Sequence, residues 1–344
     1  MLFNSNLRCA YWANEARKTL PHSLIVQRQL VHYLADGDLC SGQWLGEQLG
    51  ISRTAVAKHL EQLQHYGLDL YKIKGKGYRL AQPVQLLDAA LIKQQQQQPA
   101  PVWVQSVTDS TNSQLMQKIK EGVLLEKGAV LVAEAQTAGR GRRGKQWFSP
   151  FGCNLYFSMY WQLEQGIQAA MGLSLVVGLA VAKVLQQWQL PVRLKWPNDL
   201  YIEHKKLGGI LVELAGQTHA QCDVVIGLGL NIRMPEQTDK AVDQPWADLT
   251  SALGQPIDRN LLVALLQQQL VLELQQFSQQ GFAGYVQEFN QLDQFAGEQV
   301  TLSSGSQTIT GFCAGVDAQG GLVLDINGQK QSFYGGELSL RKAL

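Results

Sequence analysis

The chain has no Cys-x-x-Cys pair, and its five cysteines (Cys9, Cys40, Cys153, Cys222 and Cys313) are odd in number and far apart. That speaks against a zinc site or a disulfide framework and suits a reducing cytoplasm. A charge excess is also missing. The net charge is +1, so nucleic-acid binding has to come from a local patch. The N-terminus, MLFNSNLRCAYWANEARKTL, lacks the apolar core of about 7–15 residues that a signal peptide needs. The most apolar run, MGLSLVVGLAVAKVL, is shorter than the roughly 20 residues that span a bilayer and carries Lys183, so no membrane is expected as a partner. Neither Gly-x-x-x-x-Gly-Lys-Ser/Thr nor Gly-x-Ser-x-Gly occurs, which argues against a P-loop ATPase and a serine nucleophile elbow.

What is present is a chain of 344 residues, 45% hydrophobic and 17% charged, long enough for two or three domains. Residues 1–22 show no clear period and are read as a tail of unassigned role. Residues 23–82 are helical, then basic. Residues 83–101 read as a short helix running into a Gln- and Pro-rich linker. Residues 102–293 alternate strand-like and helical stretches, an α/β or α+β domain. Residues 294–344 read as short strands broken by Gly, Ser and Asn-Gly turns, a small β-barrel or sandwich.

In the first block, Leu24, Ile25, Leu30, Val31 and Leu34 predict one amphipathic helix. Ser41 can cap a second helix that stops at Gly50, and Ser52 a third, with Val56, Leu60 and Leu63 facing inward. The strand-like LDLYKIKGKGYRL follows, so the pattern is a winged helix-turn-helix. Between 51 and 80 stand six basic residues against two acidic ones. Ser52, Arg53, Thr54 and Lys58 fall where a recognition helix meets base edges. Lys74 and Lys76 in the wing suit phosphate contact. A winged helix used for protein contacts, with a solvated charge run, is the plainer alternative. A single module this small binds DNA best as a dimer on a two-fold operator.

The segment AEAQTAGRGRRGKQWFSP contains Gly-x-Gly-x-x-Gly at Gly139, Gly141 and Gly144. A dinucleotide turn also needs a following helix and an acidic residue about 20 positions on. Here KQWFSPFGCNLYFSMYW follows, rich in aromatics and broken by Pro150 and Gly152, so NAD is not the ligand. The loop, with Arg140, Arg142 and Arg143, reads instead as a mobile anion clamp whose charges are neutralised when phosphate or carboxylate arrives. A basic surface loop is the simpler reading. Ser110, Thr111 and Asn112 in TDSTN either cap the next helix or hold a neutral polar ligand group. Lys195 and Asn198 in RLKWPND, Lys206 and Gly209 beside an apolar strand, and Asn231 at the end of VVIGLGLNI add cations and amides at strand ends. That collection suits nucleotidyl transfer, in which positive charge stabilises a pentavalent α-phosphate. His59, His65, His204 and His219 have no partner that marks a general base.

TDSTN, AGRGRRGKQWFSPFGCNLYFSMYW, KWPNDLY…KLGGILVEL and IGLGLN occur in that order. With them the chain, from about residue 23 to 344, resembles the bacterial bifunctional biotin protein ligases that also repress biotin synthesis genes. The resemblance implies an α+β multidomain protein. It would have a winged helix-turn-helix, a central α/β ligase domain related to class II aminoacyl-tRNA synthetases and lipoate ligases, and an SH3-like β-barrel. It implies that Ser110, Thr111, Asn112 and Gln136 hold the biotin ureido ring, while Arg140, Gly141 and Arg142 close over biotin and the adenylate. Lys206 meets carboxylate and phosphate, Gly209 lies against the ligand, and Lys195 assists charge stabilisation. Lys145, Trp147, Asn198, Asn231 and Trp246 border the nucleotide, with Trp246 over adenine. Lys145 replaces an expected Arg, Gly208 stands where Ala is common, and the tail 1–22 is untypical.

The implied chemistry joins biotin to ATP, with Mg2+, as biotinyl-5′-adenylate and passes biotin to a lysine of the biotin carboxyl carrier protein of acetyl-CoA carboxylase. The adenylate-bound homodimer would bind operator DNA. Two alternatives stay open: a lipoate- or octanoate-type protein ligase, and a non-enzymatic ligand-sensing repressor.

Overall fold

The computed structural model describes residues 22–216, 221–235, 242–304, 307–334 and 338–342. Residues 1–21 of the tail, and His219, lie outside the described residues.

The N-terminal unit is α1 (His22–Leu34), α2 (Gly42–Leu49), α3 (Arg53–His65) and an antiparallel hairpin of β1 (Leu70–Ile73) and β2 (Gly77–Leu80). Ser41 and Ser52 cap as expected, accepting from the amides of Trp44 and Ala55. Gly50 ends α2 in the left-handed region, at φ 65°. Leu30, Val31, Leu34, Leu45, Val56, Leu60 and Leu63 form the core. Ile25 departs from its expected place. It is 41% exposed while Val26 takes the inward position, because Val26, four residues before Leu30, shares its helix face and Ile25 does not.

Residues 83–101 hold the expected short helix. Asp88 caps α4 (Ala89–Gln95), and Leu87 and Ile92 are buried in the central core. The central sheet has the order β3-β4-β5-β9-β8-β7-β6. Its strands are β3 (Val102–Thr108), β4 (Val130–Gln136), β5 (Leu155–Leu163), β6 (Arg193–Lys195), β7 (Asp199–Ile202), β8 (Lys205–Gly216) and β9 (Cys222–Leu230). Only β3 and β4 run parallel; the other neighbours are antiparallel. α5 (Thr111–Lys120) follows β3, and α6 (Leu173–Gln186) packs on α8 (Arg259–Gln280), which follows the short α7 (Leu249–Leu253). The stretch Ile167–Gln186 is apolar and long enough to cross a bilayer, but α6 is apolar because the core surrounds it: all its residues from Leu175 to Ala182 are buried.

One buried ion pair joins these layers. Arg259 of α8 meets Glu134 of β4 at 2.7 Å, with side-chain exposures of 3% and 0%. Glu134 also accepts from the Leu87 amide at 2.6 Å, and Arg259 donates to the carbonyls of Asn154 and Gln85. The charges are therefore paired and hydrogen-bonded, as burial requires.

After α9 (Val286–Leu292) come β10 (Gln299–Ser304), β11 (Gln307–Val316), β12 (Leu322–Ile326), β13 (Gln329–Phe333) and β14 (Leu338–Lys342). They form one antiparallel sheet in the order β13-β12-β11-β10-β14. The expected barrel is not closed: among the described residues β13 and β14 are the two ends of the order.

Candidate functional site

The central sheet and the Gly-Arg loop enclose a cavity of about 250 Å³. One end is polar. Ser110 caps α5, so Thr111 and Asn112 emerge from its first turn. Thr111 donates its amide to Gln136 Oε1 at 2.9 Å, and Gln136 Nε2 donates to Ser149 Oγ at 3.0 Å. Ser158 Oγ donates to Asn112 Oδ1 across 2.5 Å and sits 2.7 Å from the Thr111 hydroxyl. TDSTN thus does both things its residues allowed, capping a helix and presenting polar groups to a cavity.

Glycines of β8 and β9 form the floor. A Cβ on Gly227 would stand 2.3 Å from Asn112 Oδ1, and one on Gly229 would stand 2.4 Å from the Trp147 ring. No larger residue permits these approaches. Among the described residues the buried Trp147 Nε1 has no hydrogen-bond partner.

The other end is cationic. After Gly141 the chain makes a single 3-10 turn and returns to extended backbone, so the helix that a dinucleotide site needs is not there. Arg142 donates to Asn198 Oδ1 at 3.1 Å, and Asn198 Nδ2 donates to the Ile210 carbonyl at 2.9 Å. Burial lowers the Arg142 pKa, and Arg143 lowers it further, while Asp199 opposes both. Lys206 pairs with Asp199 at 2.9 Å and lies 5.7 Å from the Trp147 ring centre. Lys195 Nζ is 3.4 Å from the Tyr201 hydroxyl.

This arrangement accompanies a similarity to known proteins that covers most of the chain. Residues 104–231 match the biotin/lipoate A/B protein ligase family, 26–79 match an HTH domain, and 295–341 match the biotin protein ligase C terminal domain. The chain is 47% identical over 315 residues to the bifunctional ligase/repressor BirA of Salmonella typhimurium, covering 91% of this chain and 97% of that one. The chain belongs to this family of biotin protein ligases. The Escherichia coli bifunctional ligase/repressor BirA is 46% identical, over 92% of this chain and 98% of that one. The Aquifex aeolicus biotin protein ligase, solved in complex with biotin and ATP, superposes with a TM-score of 0.62 at 28% identity. That match covers 71% of this chain and 99% of the other.

Against this family frame, most expected site residues gather in one place. Ser110, Thr111, Asn112, Gln136, Arg140, Gly141, Arg142, Lys145, Trp147, Lys195, Asn198, Lys206 and Gly209 all line the cavity. Asn231 and Trp246 do not. Asn231 Nδ2 donates to the carbonyls of Lys206 and Ala247, and Trp246 bridges Lys206 through the backbone. Both brace the lysine from behind. The Arg140 guanidinium sits at the polar end, 2.7 Å from Glu213. Sequence reading missed Ser158, Asp199 and Glu213. Ser158 carried a weak signal, a small polar residue within a largely apolar strand.

In the N-terminal unit, Ser52, Arg53, Thr54, Lys58, Lys74 and Lys76 are all exposed. The unit is not independent of the pocket. The Phe151 amide donates to the Tyr66 carbonyl at 2.8 Å, and Pro150 packs against Gly67 at the end of α3. Pro150 and Phe151 directly follow the cavity loop.

Proposed function

We propose that this cavity binds biotin at its polar end and ATP at its cationic end, and joins them as biotinyl-5′-adenylate. The observation that carries this reading is the pairing of the two ends across one cavity. Asn112, Thr111 and Gln136 offer donors and acceptors to a neutral ureido ring. Arg142, Lys206 and Lys195 stand where anionic charge develops. The unpartnered Trp147 Nε1 fits a site whose acceptor comes from a ligand.

The biotin carboxylate attacks the α-phosphate, forming the acyl–phosphate bond as the bond to pyrophosphate breaks. Lys206 exchanges Asp199 for the new anion, and Arg142 offsets charge on the same phosphate. Mg2+ enters with ATP as part of that substrate; among the described residues no group of three His, Cys, Asp or Glu side chains is placed to hold a metal. The closed loop keeps water from the mixed anhydride. A lysine amine of the biotin carboxyl carrier protein of acetyl-CoA carboxylase then attacks the carbonyl, and AMP leaves.

The adenylate-bound protein forms a homodimer, and two winged helices bind a palindromic operator of biotin synthesis genes. The backbone bond from Phe151 to Tyr66 supports a coupling between loop and recognition helix. The four described thiols are unbridged, which suits the cytoplasm. Incubation of the purified chain with biotin, MgATP and the carrier protein tests this reading. Biotin should appear on one carrier lysine only when ATP is present. Labelling with lipoate in place of biotin, or no ATP requirement, contradicts it.

A further inference from the structure

Glu213 stands near the end of the KLGGILVEL segment with no role assigned to it, and it touches both sides of the pocket's polar end. Its Oε1 pairs with Arg140 Nη2 at 2.7 Å, and its Oε2 accepts from Asn112 Nδ2 at 3.0 Å. Arg140 also donates to Ser113 Oγ at 3.3 Å. Three separate elements meet here: the loop, α5 and β8. The Asn112 amide has no freedom left. Its oxygen is taken by Ser158, and its nitrogen by Glu213 and by the Leu211 carbonyl.

The loop's own charge makes this contact matter. Arg140, Arg142 and Arg143 stand within four positions and repel one another. Asp199 offsets Arg142. Glu213 offsets Arg140 from the opposite wall, with side-chain exposures of 18% and 47% for the pair. Glu213 is not among the residues lining the cavity, so it acts through its two neighbours.

From this geometry we infer that Glu213 is a positioning residue that latches the loop shut by holding Arg140 and, with the same carboxylate, fixes the Asn112 side chain in the pocket's polar end. The inference rests on the cavity being the adenylate site. A latch of this kind sets how long the adenylate stays. The pair is half-exposed, so screening keeps its effect moderate.

The test is the release rate of radiolabelled biotinyl-adenylate from the purified full chain, in the wild type, Glu213→Gln, Arg140→Ala and the double variant. Gln keeps an acceptor for Asn112 and removes the charge that holds Arg140, so a merely structural role leaves the rate unchanged. Release from Glu213→Gln should be about three- to tenfold faster, with an unchanged thermal midpoint. The double variant should release no faster than Arg140→Ala alone, because both changes break one contact. Multiplying effects in the double variant, or wild-type release from Glu213→Gln, overturns the latch. If the wild type forms no adenylate, the reading of the cavity fails instead, and the two failures are distinct.

Discussion

Arg142 reaches from the Gly-Arg loop to Asn198, 3.1 Å away on the opposite wall of the cavity. Asn198 is in turn bonded to β8 through the Ile210 carbonyl and amide. The loop is thereby tied to the sheet at its cationic end, as Glu213 ties it at the polar end. Arg142→Ala should open this end. A hydrogen bond to a charged group contributes about 1.5–3 kcal/mol, so adenylate release should be roughly 10- to 100-fold faster. A chase experiment with labelled adenylate checks this, and retention equal to wild type removes Arg142 from the clamp.

Lys206 is held by Asp199 with both side chains little exposed, at 16% and 15%. Its ammonium is pre-placed for a developing anion. Lys206→Met should slow adenylate formation by about 10²–10³-fold while biotin binding without ATP changes little. Single-turnover kinetics beside biotin titration separate the two effects. Equal losses in both would make Lys206 a biotin ligand only.

The Glu134–Arg259 pair is almost fully buried. Arg259→Met leaves the Glu134 charge unpaired and should cost about 3–5 kcal/mol in urea unfolding. Adding Glu134→Leu to that variant should restore part of the loss, since removing both charges also removes the desolvation cost. A single-variant loss below about 1 kcal/mol would mean that water or another group reaches Glu134.

On the winged helix, exposed Lys76 and Arg53 should behave differently. Lys76→Ala should weaken operator and random DNA alike and reduce the salt slope by about 1. Arg53→Ala should cost about 1–3 kcal/mol on operator and much less on random DNA. Operator titrations over a range of salt concentrations, with adenylate present, decide it.

Asp293 stands at the entry to the C-terminal sheet, where it accepts from the Phe295 amide and the Cys313 thiol. Burial raises its pKa, despite both hydrogen bonds, and the Cys313 thiol is pushed up to about 12. A carboxyl whose pKa rises on folding favours its protonated form. Its contribution is complete below its ordinary value of 3.8 and is lost as pH climbs through the raised value. Asp293→Asn mimics the protonated state. It should raise the thermal midpoint at pH 7, and the gain should shrink toward pH 4.

The winged helix was legible because its signals are local: Ser41, Ser52 and Gly50 set helix ends within a few residues of themselves. Most of the pocket was legible because polar and basic residues stood in compact motifs. Glu213 and Ser158 were not, since their roles exist only once β5, β8 and α5 come together. Asn231 and Trp246 meet the Lys206 backbone across long stretches of chain, a contact that the separate motifs do not announce. In residues 83–101 the short helix was legible, whereas the burial of Leu87 and Ile92 in the central core was not, because it depends on contacts distant in sequence. The open C-terminal sheet differs from the expected barrel because closure depends on strand register, which turn residues alone do not fix.

If one cavity activates biotin with ATP, isotope exchange between pyrophosphate and ATP reports it directly. Exchange should require biotin, should not occur with lipoate or octanoate, and should collapse in Lys206→Met. Exchange supported by lipoate but not biotin, or exchange indifferent to Lys206, would contradict it.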